Sequence, residues 1–172
     1  MQKARSLDTN NFLSLANYHP YLFTLIALTS AAELGLTAFL INVGNELHIW
    51  ASPNYHSLLI LLCFEASWTL LFATAYMMWF VDGGAQILAN VASSVFWLLL
   101  TSVLWGAAAG LMHNTRSGGN CPGRPSISRC RQSLTVEALG WTEFGLCCVT
   151  LLATLLWMRF GKKHVRDSQT FV

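Results

Sequence analysis

The sequence predicts an all-α protein, a bundle of four transmembrane helices. Three observations lead there. Four stretches, approximately 21–42, 57–80, 87–112 and 133–159, are long and apolar, and each meets the roughly 20 residues at about 1.5 Å rise that a bilayer-spanning helix requires. Of the 172 residues, 54% are hydrophobic and only 10% are charged, against about 25% charged in soluble domains. No Lys or Arg lies in the interior of any stretch; all are confined to the head, the third loop and the region from Arg159 onward.

Span 1 follows a mainly polar head of 20 residues. Its apolar run starts too late and runs too long for a secretory leader, so it is expected to be retained. The segment VGNELHIWASPNYH leads into span 2, the VDGGAQ turn joins span 2 to span 3, and a loop holding Cys121 and Cys130 leads into span 4. No connection is long enough to bury a soluble core. The expected division is an N-terminal segment 1–20, a four-span membrane domain 21–160 and a basic tail 161–172, whose KKHVR stretch is expected to lie against anionic lipid. The basic residues therefore speak of orientation, and not of nucleic acid.

Four spans put both termini on one side. Lys3, Arg5, Arg159, Lys162, Lys163 and Arg166 then face Arg116, Arg124, Arg129 and Arg131, which by the positive-inside rule predicts cytoplasmic termini. The third loop would lie in an oxidising compartment, where a disulfide persists. Cys121 and Cys130 bracket PGRPSISR, a Pro- and Gly-containing reversal suited to a bridge. They form the disulfide candidate, two unrelated thiols being the alternative. Cys63, Cys147 and Cys148 lie inside spans and are expected to pack as small apolar groups. The chain has no Cys-x-x-Cys pair, which argues against sulfur redox chemistry, and no catalytic, cofactor-binding or metal-binding set is recognised.

Chemistry concentrates in the spans' acids. Counting rise from each span start places Glu33, Glu65 and Glu143 within about 5 Å of a common depth near the midplane. A charged side chain there costs on the order of 2.5–3.5 kcal/mol on insertion scales unless it faces the bundle and finds partners. With no cation at that level, hydrogen bonds are the expected remedy, from Thr29, Thr37, Ser67, Thr69, Thr101, Ser102 or Thr142. Polar glue between helices and a proton or cation site are both open readings of this intramembrane cluster. Glu137 sits nearer the interface, within reach of the Arg131 neighbourhood.

Ala31 and Gly35 in span 1, and Gly106 and Gly110 in span 3, are spaced one turn apart. Small-xxx-small faces let backbones approach closely in lipid, so spans 1 and 3 are expected to pack together, with homo-oligomerisation as the alternative use. Trp50, Tyr55, Tyr76, Trp79, Trp97, Trp105 and Trp157 read as interfacial anchors.

The segment CPGRPSISRCRQSLTVEALGWTEF resembles the approach to the fourth span of MARVEL-domain tetraspan membrane proteins, particularly fungal members. Cys121, Cys130, Arg131, Glu137, Ala138, Leu139, Trp141 and Glu143 carry the likeness, and the four-span architecture extends it over about 20–160. The resemblance implies a non-enzymatic protein with no cofactor, which organises membrane domains or trafficking in sterol- or sphingolipid-rich plasma-membrane or secretory-pathway membranes. Its partners would be lipids and other membrane proteins. Two other functions are compatible with the residues: a small proton-coupled transporter or channel subunit built on Glu33, Glu65 and Glu143, and a scaffold for a membrane enzyme.

Overall fold

A computed structural model describes residues 2–47, 50, 52–81, 87–115 and 128–169, the side chains of 2–20, 79–81, 87–92, 129, 157 and 160–169 excepted. The chain folds as α1 (Gln2–Leu47), α2 (Pro53–Val81), α3 (Ile87–Thr115) and α4 (Arg129–Gln169), with no strand among the described residues. Each helix contains a stretch long and apolar enough to cross a membrane: Tyr21–Leu47, Pro53–Met78, Ser93–Thr115 and Cys130–Leu156. Four such helices fit a multi-pass membrane protein. The polar head and tail, expected to be separate segments, continue α1 and α4 as helix; once a helix has nucleated, each further residue adds one backbone hydrogen bond for one residue fixed.

Local chemistry starts α2 cleanly. Ser52 accepts at Oγ the Tyr55 backbone N–H at 3.1 Å as an N-cap, and Pro53 takes the first helical position, where it has no N–H to leave unpaired. Between α1 and α2 the chain turns back on Trp50. That ring lies where a Cβ at Gly44 would be and meets His56 at a tilt, with centroids 4.0 Å apart, so Gly44 permits an approach that a side chain would block.

Neighbouring helices pack in chain order, α1 on α2, α2 on α3, α3 on α4 and α4 back on α1. A closed ring of four results, with α1 and α3 diagonal to one another. The expected packing of α1 on α3 through Ala31, Gly35, Gly106 and Gly110 is therefore not formed. Ala31 and Gly35 face outward, and a Cβ at Gly35 or Gly110 would meet nothing within 4 Å. Gly106 instead serves the α3–α4 seam, where a Cβ would come 3.1 Å from Phe144. Gly140 opposes Ala109 and Trp105 there, at 3.4 and 3.7 Å from a Cβ. The physical reason is connectivity: short links make consecutive helices antiparallel neighbours, and close-packing residues act on whichever neighbour they are given.

The interior mixes polar side chains into an apolar core, and large apolar side chains cover the outside. Leu28, Phe39, Phe64, Met78, Phe96, Val103 and Leu152 point outward, while Ser30, Glu33, Thr37, Glu65, Thr69, Thr101, Glu143, Thr150 and Thr154 are buried. That distribution suits hydrocarbon as solvent, since lipid tails neither drive Leu inward nor satisfy a polar group.

Candidate functional site: an intramembrane carboxyl pair

Glu143 on α4 is fully buried and faces α1. Its Oε1 accepts from Thr29 Oγ1 at 2.6 Å and from Ser30 Oγ at 2.7 Å. Ser30 and Glu33 are three apart and share a helix face, which brings Glu33, also fully buried, within electrostatic reach of Glu143. Neither oxygen of Glu33 has a hydrogen-bond partner among the described residues, and neither does Glu143 Oε2. Thr37, one turn above, bonds the Glu33 backbone carbonyl at 2.7 Å, and not its carboxyl.

The Thr29 hydroxyl is over-subscribed. It lies 2.9 Å from the Leu25 carbonyl, 3.2 Å from that of Ile26 and 2.6 Å from Glu143 Oε1, yet it has one hydrogen to give. That hydrogen goes to the nearest acceptor, Glu143 Oε1, so Thr29 and Ser30 both donate to the one carboxyl oxygen.

Glu65 stands apart. It is buried on α2, and its Oε2 has no partner among the described residues. The three acids placed at one depth by sequence thus divide into a pair and a single group. Of the seven hydroxyls expected to serve them, only Thr29 reaches a carboxyl. Ser67, Thr142 and Ser102 bond carbonyls of their own helices at 2.8 Å each, the usual resort of Ser and Thr in a helix away from water. Thr69 instead accepts the buried Trp105 indole N–H at 3.1 Å. Ser30 was not among the expected partners; its position three residues before Glu33 was the available signal.

Glu137 has a different solution. Its Oε1 lies 2.6 Å from Nδ1 of His113 at the end of α3, on the α3–α4 seam and away from the carboxyl pair. Nothing in the separate spacing of α3 and α4 indicated this; it needs the register of the hairpin. Of the other residues in the α4 motif, Arg131 and Ala138 face outward, Leu139 is half-buried, and Trp141 is 45% exposed, edge-on to Phe144 at 5.8 Å. Trp97 and Trp105, expected as interfacial anchors, are core residues, 5% and 0% exposed. Trp105 is held by Thr69 and by the gap at Gly140. Trp97 joins Phe23, Phe72 and Tyr76 in an aromatic cluster with centroids 5.6–6.3 Å apart. Trp79 and Trp157 have side chains outside those described, and Cys121 lies outside the described residues.

No group of three or more His, Cys, Asp and Glu among the described residues is placed to hold a metal ion. No family model, curated protein or solved structure matches this chain.

Proposed function

We propose that this chain is a non-enzymatic membrane protein of the MARVEL type, which organises lipids or other membrane proteins through its outer surface. The observation that carries the reading is the contrast on α1: Ala31 and Gly35 stand open on the outside, flanked by the bulky outward Leu28 and Phe39. This is a shallow place where another membrane helix or a sterol face can approach the backbone. The resemblance of 121–143 to the MARVEL fourth span supports it. The proposed orientation keeps both termini cytoplasmic and bridges Cys121 to Cys130 across the third loop; an impermeant thiol reagent should then label neither cysteine until a reductant is added, and labelling of both without reductant would remove the bridge.

The test is partitioning in giant vesicles with coexisting sterol- and sphingolipid-rich and fluid phases. Enrichment in one phase, lost in Gly35→Leu, is expected. A distribution equal to that of an unrelated single-span helix would overturn the reading.

The unpartnered oxygens of Glu33 favour a second function, a proton-coupled transporter or channel subunit using Glu33, Glu65 and Glu143. Liposomes loaded with a pH dye test it. Proton flux in the native protein, abolished by Glu33→Gln, supports it, and no flux leaves only a structural role for the acids.

A further inference from the structure

We infer that the outer faces of α1 and α4 are the two halves of one contact, and that the partner they fit is a second copy of this chain. The inference rests on the reading of the α1 patch as a docking place and names its occupant. Depth is set within the chain, where Thr29 and Ser30 of α1 hold Glu143 of α4. The two helices run in opposite directions at about 1.5 Å rise per residue. Ala32 therefore stands at the depth of Trp141, Gly35 at that of Ala138, and Asn42 at that of Arg131. Two copies inserted with one orientation share those depths.

At matching depths the two faces are complementary in charge and in shape. Arg131 is exposed on α4, and Asn42 and Glu46 are exposed on α1, with Asn42 donating to Glu46 Oε1 at 3.1 Å. Neither Arg131 nor Glu46 is in an ion pair among the described residues. Seating α4 of one copy on α1 of the other brings this base and this acid together at one end of the seam. Further in, large side chains oppose small ones. Leu28, 62% exposed, comes opposite Gly145, where a Cβ would meet nothing within 4 Å of its own chain. Trp141, 45% exposed at a mid-membrane depth where Trp is not usually found, comes opposite Ala32. Between them Gly35 faces Ala138, a small pair that lets backbones approach in lipid. Both rows follow the alternating three- and four-residue spacing of a helix–helix seam. Because α1 and α4 are neighbours in the ring, a two-fold axis along the membrane normal makes the contact twice and closes the assembly as a dimer.

The experiment cross-links full-length chains in lipid vesicles. One copy carries Gly35→Cys and a first tag, the other Ala138→Cys and a second tag, so only a bond between copies joins the tags; chains without added cysteines set the background. Oxidation should join this pair about tenfold faster than the control pair Gly110→Cys and Ala138→Cys, because a seated partner raises the effective concentration and random collision does not. Arg131→Glu should weaken pairing about tenfold for the two symmetric contacts together, and Glu46→Arg added to the same chain should restore it. Equal rates for the two cysteine pairs would overturn the contact, and so would a double charge reversal that pairs no better than Arg131→Glu. Energy transfer between unsubstituted labelled copies, diluted in lipid, needs no variant to fold, and transfer no greater than random mixing would overturn the dimer. If the monomeric chain still enriched in one lipid phase, the docking reading of α1 would survive and only its occupant would fall.

Discussion

The two seams made by α4 are built from opposite materials. Toward α3 it presents Gly140 and Phe144, which fit against Trp105, Ala109 and Gly106 at close range. Toward α1 it presents Glu143, which is held by two hydroxyls. One seam is close because side chains are missing, the other because polar groups have nowhere else to turn. In lipid, where burying Leu gains little, van der Waals fit and interhelical hydrogen bonds are the two available sources of association; α4 uses close fit midway along its α3 flank, with the Glu137–His113 contact at the end of α3, and hydrogen bonds to Glu143 on its α1 flank.

The comparison breaks most easily at its glycines. Gly106→Leu and Gly140→Leu should each destabilise the bundle by about 2–3 kcal/mol through overpacking, whereas Gly35→Leu and Gly110→Leu, with open space around them, should stay within about 0.5 kcal/mol. Unfolding in dilute detergent measures all four. Equal losses at Gly35 and Gly106 would mean that the ring order of the helices is wrong.

Smaller effects sharpen the contrast. Thr69→Val strands the Trp105 indole N–H in the core and should cost about 1–2 kcal/mol, read by the same unfolding and by a changed Trp emission maximum. Ser30→Ala removes one of two donors to Glu143 and should cost about 1 kcal/mol, since Thr29 remains. If Ser30→Ala costs nothing while Thr69→Val behaves as stated, the α1–α4 seam rests on packing after all. The least effect is expected at His113→Ala. Its ring is 59% exposed beside Glu137, and so exposed a contact contributes about 0–1 kcal/mol, read as a small loss in the same unfolding.

The fold class was legible because membrane spans are written in composition: every backbone group must be satisfied inside hydrocarbon, so long apolar runs become helices. That the acids turn inward was also legible, from the penalty for exposing them to lipid. Which acids would meet was not. Depth along each helix follows from counting residues, and it placed Glu65 with Glu33 and Glu143. Rotation about each axis, and the choice of neighbour, depend on how the helices are arranged around the ring. Trp105 lies near the middle of its helix, a depth that counting gives, whereas its place in the core and the pairing of His113 with Glu137 need the ring.

The chain's residues by themselves determined four spans and an interior richer in polar groups than the exterior, because both follow from the free energy of transferring each side chain into lipid. Only the tertiary structure decided that Gly106 would meet Phe144 and not α1, that Ser30 would hold Glu143, and that Glu33 would be left beside it with both oxygens open. Those outcomes depend on angles and distances between helices, which no one-dimensional count of hydrophobicity contains.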